Sequence, residues 1–159
     1  MAQVYIDGDG CPKMVKEIVF RAAERRGVRV TLVANRAVAV PRHPNIRAVQ
    51  VQKGLDVADD WLVLNTSAGD LVITSDLPLA ADLVAKGVTA LNPRGELWTE
   101  QNVRERLSIR DFMMEARESG LIQGSGPPPY DQKAAQRFAN AFDVWLVRAA
   151  GRSGEGRSP

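Results

Sequence analysis

The sequence predicts an α/β protein of three layers, α/β/α, with a mainly parallel sheet of about five strands and further helices at the C-terminal end. Three observations predict it. Short apolar segments alternate with helix-period segments from residue 3 to about residue 96. Leu71-Val72-Ile73-Thr74 is apolar enough to be buried on both faces, as strands of parallel sheets are. The 159 residues are 45% hydrophobic and 25% charged, a globular composition with length for one domain that buries about 70% of its unfolded surface.

The elements follow in order. Val4, Tyr5 and Ile6 form a first strand ending in Asp7-Gly8-Asp9-Gly10, and Cys11-Pro12 opens a helix. Val15, Ile18, Val19 and Ala22 share one face of that helix, and Gly27 closes it. Residues 29–34 are a second strand, followed by a loop with Pro41 and Pro44, and 46–51 are a third. Gly54 breaks the chain before Asp56, the expected N-cap of a helix through about Asn65. Gly69-Asp70 turns into the fourth strand. Asp76 and Pro78 open a helix with Leu79, Leu83 and Val84 on one face and Gly87 as its stop. Residues 88–91 are a fifth strand leading into Asn92-Pro93-Arg94-Gly95-Glu96.

The remainder reads as helical. Thr99 caps one helix, and Ser108 to Asp111 resembles a capping box that restarts a second, ending at Gly120. Residues 124–130 are a Gly/Pro linker, 131–150 a final helix that docks on the same core, and 151–159 a disordered tail. Residues 1–150 are expected to form a single domain. Phe112, Met113, Phe138, Phe142 and Trp145 read as helix core.

Composition excludes several chemistries. The lone Cys11 makes no internal disulfide, and with Asp7, Asp9, Lys13, Lys16 and Glu17 in the first twenty residues no secretory apolar stretch is expected, so the expected compartment is the cytoplasm. No run of 18 apolar residues suggests a membrane partner. One Cys and one His cannot make a four-ligand zinc site, and His43 lies between prolines with no nucleophile signature beside it. Neither a Walker A loop nor G-x-G-x-x-G occurs. The net charge of +2 lies wholly in the last twelve residues, so bulk charge makes no case for nucleic acid.

What remains is the placement of the acids. Asp7 and Asp9 follow the first strand, Asp56, Asp59 and Asp60 the third, and Asp76 the fourth. In an open parallel sheet, ligands bind beyond the carboxyl ends of the strands, where these three segments deliver acids together. Two carboxylates about 4 Å apart repel by roughly 4 kcal/mol at an effective dielectric of 20. Mg²⁺ or Mn²⁺ with oxygen ligands removes that cost and can serve phosphoryl chemistry. Asp56, Asp76 and Asp131 equally suit plain helix capping, and of Asp59 and Asp60 only one need face the site. Arg94 is a candidate phosphate holder or a salt-bridge partner of Glu96. Arg36, Arg42, His43, Arg47 and Lys53 form a basic run that either tracks a nucleic-acid backbone or is a solvated face. Cys11 stands at a helix start, where the dipole can lower a thiol pKa, although a small buried residue is the simpler reading.

The segments Val-Tyr-Ile-Asp7-Gly-Asp9-Gly-Cys11-Pro12, Leu32-Val-Ala-Asn35, Asp56-Val-Ala-Asp59, Gly69 to Ala80, Leu91-Asn-Pro-Arg94-Gly-Glu96 and Arg110-Asp-Phe-Met113 together resemble the YaiI/YqxD family of bacterial proteins. That family is similar in turn to PIN-like nucleases, which gather acids at the strand ends around Mg²⁺ or Mn²⁺ and hydrolyse RNA. The resemblance implies Asp7, Asp59 and Asp76 as catalytic metal ligands, with Asp9 and Asp56 as further metal-site acids. Arg94, Asn35 and Arg36 are expected on the substrate and Cys11 as a neighbour of the site. The leading expectation is a metal-dependent phosphodiesterase acting on RNA. One alternative is a non-catalytic RNA-binding or regulatory module of the same fold. The other is a haloacid-dehalogenase-type phosphatase, which strand-Asp-x-Asp resembles, although that family's later Lys and paired-acid motifs do not follow in order.

Overall fold

The computed structural model describes residues 2–120 and 128–155. Five strands, β1 (Val4–Asp7), β2 (Val30–Ala34), β3 (Ile46–Gln50), β4 (Leu71–Ile73) and β5 (Thr89–Leu91), form one sheet in the order β3-β2-β1-β4-β5. Every pairing is parallel. The helices are α1 (Lys13–Arg26), α2 (Val57–Asn65), α3 (Leu77–Lys86), α4 (Glu100–Glu118) and α5 (Gln132–Glu155).

The two-residue period of the strands divides the core. Val4, Ile6, Leu32 and Ile73 face α1 and α5, where Val15, Val19, Phe138 and Phe142 meet them. Tyr5, Val33 and Val72 point the other way, onto Leu62 of α2, Leu79 and Leu83 of α3 and Val103 of α4. Helices therefore cover both faces, as the apolar strands require. From β1 the chain winds outward through β2 to β3, then returns to add β4 and β5 on the other side. The order reverses between β1 and β4. A crevice opens at such a switch point, beyond the carboxyl ends of the strands.

Several local expectations need correction. No restart occurs at Ser108: α4 is one unbroken helix, opened by a capping box in which Thr99 accepts from the Asn102 amide and the Asn102 side chain accepts from the Thr99 amide. In its distal half Ala116 is buried but Phe112 faces outward, 68% exposed, and is no core residue. Gly151 does not end the last helix. Gly27 and Gly87 stop α1 and α3 with positive φ, but Gly151 has no such conformation and α5 continues to Glu155. Asp56 stands at the N-cap of α2 with φ 62° and makes no side-chain cap bond. The expected linker falls outside the described residues over 124–127, and the expected tail over 156–159. Among the described residues, no helix is long and apolar enough to cross a membrane.

Candidate metal centre

Acids from three chain segments line an open pocket of about 690 Å³ at the switch point. Asp7 is the last residue of β1. It lies one step beyond the Ile6–Ile73 pair, which brings it opposite Thr74 at the end of β4. The Thr74 hydroxyl donates to Asp7 Oδ2 at 2.9 Å, and the Asp76 amide donates to Thr74 Oγ1 at 3.0 Å. Asp76 itself caps α3, its Oδ1 accepting from the Leu79 amide at 2.8 Å. Trp98, returning from β5, closes the floor by donating its Nε1 hydrogen to the Thr74 carbonyl at 3.0 Å. Asp59 enters from the first turn of α2. Gly8 is required where the chain leaves β1: a Cβ there would sit 2.7 Å from the Leu32 side chain.

Acid dominates the strand-end side of the pocket. Burial pushes the Asp7 carboxyl up to about 6, with the charges of Asp76 and Asp9 adding to it and the Thr74 hydrogen bond opposing. Asp59 is likewise pushed up to about 6, by burial first and then by Asp76, Asp7, Asp56 and Asp60. The donors are hard oxygens without imidazole or thiolate, a set suited to Mg²⁺ or Mn²⁺. Among the described residues no three acidic, His or Cys side chains are gathered into a ready-made cation cage. The charge and chemistry of the set thus fit a divalent ion, although the carboxylates are not drawn onto one point.

The expected residues divide into two groups. Asp7, Asp9, Asn35, Asp56, Asp59 and Asp76 all line the pocket. Asp60 is exposed on α2 and does not, which separates the Asp59/Asp60 pair. Asp9 is partly committed: Oδ2 accepts the Asn35 amide at 3.1 Å, and Oδ1 lies 4.0 Å from Nε of the exposed Arg36. The Asn35 backbone is thus tied to an acid of the site, whereas Arg36 is exposed and does not line the pocket. Arg94 does not reach this pocket. Its guanidinium donates to the Pro128 carbonyl and lies over the Tyr130 ring at 5.6 Å, so it is turned toward the segment entering α5. Cys11 is not activated by the helix dipole, because burial pushes its thiol up to about 12. Within the basic run, Arg47 is occupied by Thr31, to which its Nε donates at 2.9 Å.

Sequence reasoning missed the pocket's other wall. Trp98, Arg106, Ile109 and Arg110, together with Asn92, line that side. Arg106 lies 5.6 Å over the Trp98 ring and pairs with Glu96. The i, i+4 spacing of Arg106 and Arg110 puts both cations on one face of α4. That spacing is the one sequence signal that points to this wall, and only once α4 is known to fold back over the strand ends.

Residues 5–148 match the family model described as "Uncharacterized BCR, YaiI/YqxD family". A UPF0178 protein of Thioalkalivibrio sulfidiphilus is 55% identical over 146 residues, covering 92% of this chain and 99% of the relative. One from Shewanella amazonensis is 54% identical over 146 residues, covering 92% and 97%. One from Proteus mirabilis is 50% identical over 145 residues, covering 91% and 95%. No solved structure matches the chain. With a family model spanning residues 5–148 and relatives matched at half identity or better over nearly their whole length, the chain belongs to the YaiI/YqxD family of bacterial proteins.

Proposed function

We propose that the acidic pocket is a divalent-cation site for hydrolysis of RNA phosphodiesters. The observation that carries this reading is geometric: acids from three separate segments, Asp7 and Asp9, Asp56 and Asp59, and Asp76, line one pocket at the topological switch point of a parallel sheet. Burial first, and neighbouring carboxylates after it, raise Asp7 and Asp59 to about 6 in keeping with that placement. Plain helix capping would not need them to face one another. Asp7, Asp59 and Asp76 would hold Mg²⁺ or Mn²⁺, with Asp9 and Asp56 beside them. The cation, when bound, supplies Lewis acidity toward a phosphodiester and a means of activating water.

The chain's own residues supply position and charge. Thr74 fixes the Asp7 carboxylate from behind, and the α3 cap fixes Asp76. Trp98 shields the Thr74 carbonyl from solvent. Arg106 and Arg110 on the facing wall favour an anionic substrate over a neutral one.

The test is Mn²⁺ titration of the wild type against Asp7→Asn combined with Asp76→Asn, read by calorimetry and by the shift in Tm that a bound ion produces. The wild type is expected to bind the ion and the double variant to lose at least about tenfold in affinity, a loss of roughly 1.4 kcal/mol. Equal affinities would sink the cation site. The lack of a preformed cage among the described residues favours a second reading, a non-catalytic RNA-binding module. It predicts RNA retention without cleavage under any divalent ion.

A further inference from the structure

Beside the acidic pocket lies a second hollow of about 430 Å³, lined by Asn92, Arg94, Gly95, Glu96, Arg106 and Arg137. Asn92 and Arg106 line both, so the two are contiguous. Their charges are opposite. Three guanidinium groups against one carboxylate leave the second hollow net positive, next to a pocket of acids.

Two of its arginines, Arg94 and Arg106, are set in place by the fold. Arg94 lies 5.6 Å over the Tyr130 ring, whose hydroxyl donates to the Pro93 carbonyl at 2.7 Å and so ties the ring to the loop after β5. Arg106 lies over Trp98. Gly95, with φ 91°, allows that loop to rest directly on α5: a Cβ there would fall 2.6 Å from the Arg137 carbonyl. This close approach brings Arg137 beside Arg94. Among the described residues no carboxylate lies within salt-bridge distance of either guanidinium, so their charge is available to a ligand. Arg94 and Arg106, each held beside an aromatic ring, lose less side-chain freedom on taking a phosphate than free guanidinium groups would.

We infer that this hollow holds a phosphate flanking the one at the acidic pocket, so that a single RNA strand lies across both. The inference rests on the proposed phosphodiesterase reading and deepens it. Contiguity argues for a polymer over free phosphate, since two anions held side by side across shared residues belong to one backbone. Arg94 is thereby a phosphate holder in the neighbouring hollow, and Arg106 bridges the two.

The test is fluorescence anisotropy of a short labelled oligouridylate with the full chain in EDTA, across a range of salt. Arg94→Gln and Arg137→Gln are each expected to weaken binding about three- to tenfold at low salt and to flatten the salt dependence by about 0.7 in log–log slope. Arg104→Gln, on α4 but paired with Glu100, is the control and should match the wild type. Arg137 is exposed, and among the described residues its side chain makes no hydrogen bond or ion pair, so its variant stays informative if Arg94→Gln unfolds. Unchanged affinity and slope in Arg137→Gln, or a wild type that does not bind the RNA, would overturn the inference. Failure of the cation site is read separately, by Mn²⁺ titration. Loss of Mn²⁺ binding with arginine-dependent RNA binding intact would leave this inference standing as the property of a binding module.

Discussion

Two aspartates are buried almost equally at opposite ends of the sheet, Asp70 at 7% exposure and Asp7 at 9%. Asp70 precedes β4 at its amino end. Its Oδ1 accepts from the Gln3 amide at 3.0 Å, while its Oδ2 accepts from the Ser67 amide at 3.0 Å and the Ser67 hydroxyl at 3.4 Å. The carboxylate thus pins the entry of β1 to the turn before β4. Asp7, at the carboxyl end, has the Thr74 hydroxyl on one oxygen and two further acids nearby. Burial alone marks neither as functional. The difference lies in balance: donors surround one carboxylate, and like charges surround the other.

The comparison breaks most visibly in stability. Asp70→Ala leaves two backbone amides without their acceptor at a buried site and is expected to cost about 3 kcal/mol, read as a lower Cm in urea at unchanged m. A loss under about 1 kcal/mol would mean that water replaces the carboxylate easily and that the amino end is no staple.

Asp7→Asn should move the other way. In the unfolded chain Asp7 titrates near 3.8 and in the fold near 6, so between these values the native state holds a proton that the unfolded state has released. Raising the pH through this window therefore lowers stability, with no penalty below about 4 and the full penalty above about 6. Asparagine keeps an acceptor for Thr74 and removes the charge. Without divalent ion, the variant is expected to be more stable than wild type by about 3 kcal/mol at pH 8, with the advantage vanishing toward pH 4. Urea unfolding across that range checks it. A variant destabilised at pH 8 would show that the Asp7 charge is satisfied as it stands, which removes the reason for a cation.

The fold was legible because alternation and glycine punctuation are local signals. Gly27, Gly87, Thr99 and Asp131 end or cap helices as their types suggest, the last with its Oδ1 on the Ala134 amide at 2.9 Å. The acids of the pocket were legible for a related reason, since topology sends every strand end of a parallel sheet to one edge. Non-local contacts were not legible. Arg94 sits in the same loop as Asn92, yet Tyr130 and Pro128, more than thirty residues away, decide where its guanidinium points. Phe112 is a complementary case. Helical period groups residues by face but does not say which of them meet the core: Ala116 is buried while Phe112, one turn earlier, is exposed.

Asp56 is a third acid in a third setting, and it sharpens the comparison with the smallest effect. It is exposed, and among the described residues it is the one non-glycine residue with positive φ, 62°. Neither burial nor capping accounts for an acid there, because its side chain makes no cap bond. Aspartate and asparagine tolerate the left-handed region better than other side chains, by virtue of short polar groups. Asp56→Asn is therefore expected to leave stability within about 0.5 kcal/mol, and Asp56→Ala to fall below it by about 1 kcal/mol through backbone strain. Both remove the charge that helps to raise Asp59. If the charge is what matters, both should weaken Mn²⁺ binding alike despite their different stabilities. If only Asp56→Ala weakens it, the residue serves the shape of the turn into α2, and the cation site reduces to Asp7, Asp59 and Asp76.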